Sequence, residues 1–116
     1  MRYILLSADS LPTLYEAPDA VAEALWHFAD QFLEEINRPD SPFWHRVTDA
    51  GGGSYDCLSY SERDFVAWLN RRPETQYFPV QEAASLPLEE REIILETALR
   101  ERNIPYAQQR YPWFNF

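Results

Sequence analysis

The sequence has no lysine, one cysteine and three glycines, and its apolar runs are short. A Walker-type phosphate loop and a Schiff base both require a lysine amine, so the sequence excludes both. One cysteine cannot form an internal disulfide, and no spacing of cysteine and histidine matches a zinc site. The N-terminal apolar run, residues 3–6, is too short for a signal-peptide core or a membrane span. We therefore expect a soluble, cytoplasmic protein with no membrane partner and no cofactor.

Basic residues are also scarce, and the formal net charge is −9 with a pI near 4.6. The acidity is concentrated in residues 1–58, which carry ten carboxylates against three arginines. A protein that binds a nucleic-acid backbone needs a basic patch that displaces the counterions of the phosphates. We therefore expect no nucleic-acid partner, and the charge favours a protein with a basic surface.

What the sequence does contain is a high proportion of core-forming residues. Hydrophobic residues make up 46% and aromatic residues 16% of the 116 positions. This length suits one domain, residues 1–116, with a core that needs neither disulfide nor metal. The pattern predicts a small α+β domain in which about three helices pack on a small, mostly antiparallel sheet that includes a hairpin near residues 43–58.

Apolar periodicity and breaker residues predict the individual elements. In chain order they are a strand over 2–6, a helix over 18–37, the hairpin over 43–58, a helix over 60–71, an edge strand over 74–80, a helix over 87–102 and a final strand over 106–111. Ser59 and Glu62 have the spacing of a capping box for the second helix. The terminal YPWFNF is expected to dock, either on the protein's own core or on a partner.

The helix predicted over 18–37 separates its residues into two opposite arcs at 100° per residue. The apolar arc, which must face the core, comprises Val21, Ala24, Leu25, Phe28, Phe32 and Ile36. The opposite arc, here called the acidic face, comprises Asp19, Glu23, His27, Asp30 and Glu34. It contains four carboxylates and no arginine, and therefore lacks the i,i+4 ion pairs common on solvated helices. Trp26 lies at its edge as a candidate anchor for a partner.

Helix 87–102 carries three residues that break its own pattern. Ile93 points outward between charged residues, which makes it a further candidate for a partner interface. Arg91 and Arg102 project into the apolar arc. Either their stems lie along apolar surface, or one of them pairs with a partly buried carboxylate.

The stretch DAGGGSYDCLSY contains every glycine and the only cysteine. It lacks a helix directly after the glycines, so a hairpin turn fits better than a phosphate cradle. With a five-residue loop over 49–53, His45 lies opposite Cys57 and Arg46 opposite Asp56. A Cys57–His45 pair is the arrangement of a nucleophile and its base, whereas a shift by one residue places His45 opposite Asp56.

Three hypotheses about function follow. The first is a non-enzymatic protein-binding module, of the inhibitor, immunity or adaptor kind, that uses the acidic face with Trp26 and Ile93. The second is a small enzyme centred on the hairpin, either cysteine-dependent through Cys57, His45 and Asp56 or metal-dependent. Glu23, His27 and Asp30, at spacings i, i+4 and i+7, are the candidate metal ligands. The third hypothesis is a structural homodimer.

Overall fold

Six strands and four α-helices form the fold in the computed structural model, which describes residues 1–116. In chain order they are β1 (Arg2–Ser7), β2 (Thr13–Ala17), α1 (Asp19–Glu23), α2 (Leu25–Ile36), β3 (Trp44–Thr48), β4 (Ser54–Leu58), α3 (Glu62–Leu69), β5 (Gln81–Glu82), α4 (Leu88–Glu101) and β6 (Trp113–Asn115). Short 3₁₀ turns occupy Pro73–Thr75 and Tyr106–Gln108. The expected fold class, a small and mostly antiparallel α+β domain, is confirmed.

The main sheet has four strands in the order β5-β2-β1-β6. β1 pairs with β2 in antiparallel fashion, from Arg2 opposite Ala17 to Leu6 opposite Thr13. β6 lies on the other side of β1 and runs parallel to it, with Ser7 opposite Asn115. The predicted strand over 2–6 is therefore confirmed as β1, one of the two inner strands, whereas the other inner strand, β2, was not predicted.

Helices cover both faces of this sheet. Ile4 and Leu6 belong to a core cluster with residues of α1, α2 and α3, such as Phe32 and Phe65. Leu5, which points to the opposite face because strand side chains alternate, packs against Ile94 of α4. The domain therefore has three layers, with α1, α2 and α3 on one side of the sheet and α4 on the other.

The helix predicted over 18–37 is divided into α1 and α2 at Ala24, whose φ of −124° and ψ of 30° are not helical. The predicted apolar arc is nevertheless buried, apart from Ala24, which is half-buried. A residue far away in the sequence stabilises this break between the helices. The hydroxyl of Tyr106 donates a hydrogen bond of 3.2 Å to the carbonyl of Ala22. Burial raises the pKa of Tyr106 to about 12.

The hairpin has the register of the five-residue loop, which is one of the two alternatives that the sequence left open. The loop spans residues 49–53, and Thr48 pairs with Ser54. Gly52 has a φ of +84°, a conformation that glycine adopts readily. A carboxylate oxygen of Asp49 accepts hydrogen bonds from the backbone N–H groups of Gly51 and Gly53, at 2.9 Å each. β3 and β4 form a two-stranded sheet of their own rather than part of the main one. The glycines are therefore turn residues.

Several predicted boundaries were wrong. The capping box of α3 uses Ser61 and Asp64, two residues after the predicted pair Ser59 and Glu62. The edge strand predicted over 74–80 begins only at Gln81, beyond the 3₁₀ turn and Pro79. The strand predicted over 106–111 is replaced by a 3₁₀ turn, and the final strand lies inside the aromatic C-terminal segment. That segment docks on its own fold, where the ring of Phe116 lies 4.9 Å from that of Phe65.

Candidate functional site

The acidic face lies on the outer side of α1 and α2. Burial of Phe28, Phe32 and Ile36 against the sheet turns the opposite side of α2 toward solvent. All five residues of the acidic face are exposed: Asp19, Glu23, His27, Asp30 and Glu34. Trp26 is 51% exposed, and its ring meets that of His27 edge-on with 5.9 Å between the centroids. The structure therefore brings an exposed indole next to the acidic residues.

Most of the negative charge on this face has no partner within the protein. Asp19 forms an ion pair of 2.9 Å with the amino group of Met1. Glu23, Asp30 and Glu34 form none, and only four of the nineteen carboxylates in the whole chain do. Because the three carboxylates are exposed and uncompensated, α1 and α2 present a negative potential to solvent.

The candidate metal ligands do not gather into a site. Glu23 belongs to α1, whereas His27 and Asp30 belong to α2, and the backbone departs from helical geometry at Ala24 between them. The i, i+4, i+7 spacing therefore does not stack the three side chains along one continuous helix. The ring of His27 contacts the amide of Gln31, with 3.3 Å between the two nitrogens. No group of three or more histidine, cysteine, aspartate or glutamate side chains is placed to hold a metal ion.

Ile93 points outward as predicted and is 60% exposed. It belongs to α4, which covers the opposite face of the sheet from α1 and α2. Ile93 therefore lies on a different surface from the acidic face, and a partner that covers one of them does not reach the other without wrapping around the domain.

The hairpin places His45 directly opposite Cys57, the pairing that follows from the five-residue loop. Both residues are exposed, and the thiol lies 3.8 Å from the carbonyl oxygen of Leu58. Asp56 points to the other side of the strand and forms an ion pair of 2.9 Å with Arg46, so it does not orient the imidazole. A recess of about 390 Å³ beside the hairpin is lined by His45 and Asp56 but not by Cys57. The structure therefore places His45 and Cys57 at opposite positions without a hydrogen bond between them, and it separates Asp56 from both.

Arg91 and Arg102 have different environments. The guanidinium of Arg91 donates hydrogen bonds to the carbonyl oxygens of Leu86 and Ala84, so backbone carbonyls take the place of the predicted carboxylate. Arg102 forms no ion pair and no side-chain hydrogen bond. Its side chain lines a cavity that no pattern in the sequence predicted.

This cavity, here called the strand-end cavity, has a volume of about 410 Å³. It lies where the parallel strands β1 and β6 end, between the β1–β2 loop and the last turn of α4. Its lining consists of Ser7, Asp9, Ser10, Ala98, Arg102, Gln109, Trp113 and Asn115. These residues come from parts of the chain that are far apart in sequence. The one local indication was Arg102, which breaks the apolar pattern of its helix.

A hydrogen-bond network fixes one wall of the strand-end cavity. The indole N–H of Trp113 donates to the hydroxyl of Ser7 at 3.1 Å, and that hydroxyl donates to Asn115 Oδ1 at 2.8 Å. The backbone N–H of Asp9 donates to the same oxygen at 3.2 Å. Asp9 has a φ of +55°, a conformation that aspartate adopts more often than most residues. Ser7 is 1% exposed, so the network is anchored in the sheet.

Comparison with known proteins adds no further assignment. No family model matches the chain, and neither a curated protein nor a solved structure matches it significantly. None of the helices has the length and apolar character needed to cross a membrane.

Proposed function

We propose that the chain is a non-enzymatic protein-binding module that acts in the cytoplasm and uses the acidic face to engage a basic surface on another protein. The observation that carries the proposal is the set of three exposed carboxylates, Glu23, Asp30 and Glu34, without ion pairs beside the half-exposed ring of Trp26. A module of the inhibitor, immunity or adaptor kind can act through a surface of this kind.

The two parts of this surface have different physical roles in the proposed complex. Unpaired carboxylates on one face attract a basic protein over several ångströms and accelerate its association at low ionic strength. Tryptophan is among the residues that most often dominate the binding energy of an interface, because its large ring is desolvated as a unit. We therefore expect the carboxylates to govern the association rate and its salt dependence, and Trp26 to govern the dissociation rate.

The test is affinity capture from a lysate of the source organism, with wild-type protein beside two charge-reversal variants. The first is Glu23→Lys with Asp30→Lys, on the acidic face. The second, the control, is Glu89→Lys with Glu96→Lys on α4, which changes the net charge equally on the other side of the sheet. We expect a basic protein that wild type and the control retain, that salt weakens and that the first variant loses.

Purified partner then allows kinetic measurements with Trp26→Ala, for which we expect faster dissociation with little change in the association rate. Equal loss in both charge-reversal variants would mean that net charge, rather than this face, attracts the captured protein. Capture that both variants leave intact would contradict the proposal.

The cysteine-dependent enzyme is a second candidate, and the pairing of His45 with Cys57 is the observation in its favour. The structural homodimer is a third, for which the exposed Ile93 is the available interface residue. Light scattering at low concentration separates the homodimer from the proposed module, because an obligate dimer keeps twice the monomer mass on dilution.

A further inference from the structure

The strand-end cavity contains one residue of each charge, and the two do not meet. Asp9 and Arg102 both line it, yet no ion pair joins them. Neither side chain forms a hydrogen bond with another part of the protein. Both side chains are exposed, so a ligand that carries both charges can reach the two of them from solvent.

A third polar group points to the same kind of ligand. Asn115 Oδ1 accepts the hydroxyl of Ser7 and the backbone N–H of Asp9. The backbone N–H can only donate, so it fixes which end of the Asn115 amide is oxygen. The two N–H groups of that amide then have no acceptor within the protein. Because the network with Ser7 and Trp113 holds the amide in place, its donors are oriented in advance.

The position and size of the cavity suit a small ligand. Ser7 and Asn115 are the last residues of the one parallel strand pair, so the cavity lies beyond the carboxyl ends of that pair. In open α/β sheets, ligands bind at the corresponding position. The volume of about 410 Å³ falls inside the range of roughly 300–1,000 Å³ that is usual for small-molecule sites.

We propose that the strand-end cavity binds a free α-amino acid. Its carboxylate accepts hydrogen bonds from the guanidinium of Arg102 and the amide of Asn115, and its ammonium group pairs with the carboxylate of Asp9. A simple anion would be repelled by Asp9, and a simple cation would be repelled by Arg102. A zwitterion satisfies both. The site is independent of the acidic face and of the protein partner proposed for that face.

The first measurement is isothermal titration of the protein with each proteinogenic L-amino acid separately, at up to about 10 mM, which saturates any site with a millimolar Kd or tighter. The amino acid that binds best is then compared with its N-acetyl derivative, which lacks the ammonium group, and with its α-amide, which lacks the carboxylate. We expect each derivative to bind about tenfold to 100-fold more weakly, because each loses a charge-assisted hydrogen bond.

Protein variants test the same assignment by changing the groups of the cavity instead of those of the ligand. Arg102→Gln and Asp9→Asn should each raise the Kd about tenfold or more, whereas Arg100→Gln, a control on a neighbouring arginine outside the cavity, should not change it. Asparagine tolerates the positive φ of residue 9, so that change removes the charge and keeps the backbone conformation.

Binding of none of the amino acids would overturn the proposal. So would binding that N-acetylation or amidation leaves unchanged, or binding that Arg100→Gln weakens as much as Arg102→Gln. Because the derivatives are measured on wild-type protein, the proposal stays testable even if one of the variants folds poorly. Failure of the amino-acid proposal would leave the proposal for the acidic face standing, because that proposal is tested with other variants and another assay.

Discussion

Replacement of Tyr106 by phenylalanine tests how the break between α1 and α2 is stabilised. The hydroxyl of Tyr106 donates to the carbonyl of Ala22, 3.2 Å away, and Ala22 is fully buried. A buried carbonyl near a helix end that loses its donor has no water to replace it. We therefore expect Tyr106→Phe to lower the free energy of unfolding by about 1–2 kcal/mol at neutral pH.

The same hydroxyl gives the effect a pH dependence. Burial is the largest cause that raises the pKa of Tyr106 from 10 to about 12, and hydrogen bonds from the backbone N–H groups of Trp26 and Leu25 oppose it. Because the pKa is higher in the folded state, the protonated hydroxyl contributes its full stability below pH 10, and that contribution is lost as the pH rises through about 12. Since Tyr106 is only partly buried, we expect the loss to be about 1–2 kcal/mol.

Urea unfolding of wild type, Tyr106→Phe and a control, Tyr77→Phe, measures both effects. Tyr77 is 92% exposed, so its hydroxyl should contribute little. The stability difference between wild type and Tyr106→Phe should be largest near neutral pH and should shrink toward zero between about pH 10 and pH 12. The other tyrosines titrate equally in both proteins and cancel in that difference. A difference that does not change with pH, or a Tyr106→Phe variant as stable as the control, would refute the reasoning.

The remaining predictions concern the C-terminal ring and the hairpin. Phe116→Ala should lower the free energy of unfolding by about 2 kcal/mol, because the ring of Phe116 is partly buried against Phe65. Phe78→Ala, a control at an exposed phenylalanine, should have a smaller effect. Equal effects of the two variants in urea unfolding would contradict this. Cys57 should react with iodoacetamide at about the rate of an ordinary exposed thiol. A reaction roughly tenfold faster that His45→Gln abolishes would instead support the cysteine-dependent enzyme.

Local patterns in the sequence were sufficient to predict the hairpin. The three glycines fix the position of the turn, and once a five-residue loop is assumed, the period of two along each strand determines every pair, including His45 with Cys57. The buried arc of α1 and α2 was predictable for a similar reason, since a period of 3.6 residues depends only on neighbouring positions. The break at Ala24 was not, because the hydroxyl that donates to the neighbouring carbonyl of Ala22 comes from Tyr106, 84 residues further along the chain.

The strand-end cavity could not be predicted for the same physical reason. It depends on the parallel pairing of β6 with β1, which brings Asn115 beside Ser7, 108 residues away. The local pattern predicts the last strand over residues 106–111, which leaves Trp113 and Asn115 in the docked aromatic segment. Strand pairings between residues so far apart in sequence depend on which strand edges remain available after the rest of the chain has packed. A local sequence pattern does not predict which edges these are.

The acidic face and the strand-end cavity, as proposed, should respond to salt in different ways. The acidic face presents several carboxylates of one sign, so its attraction for a basic partner should fall steeply as ionic strength rises. The cavity offers one positive and one negative group to a ligand whose net charge is zero, and a neutral ligand is not drawn over long distances by the field of the protein. Its binding should therefore change little over the same range of salt. Measured in parallel on one preparation, the two salt dependences show whether the domain has two independent sites, because a ligand held only by general electrostatic attraction would be lost together with the partner.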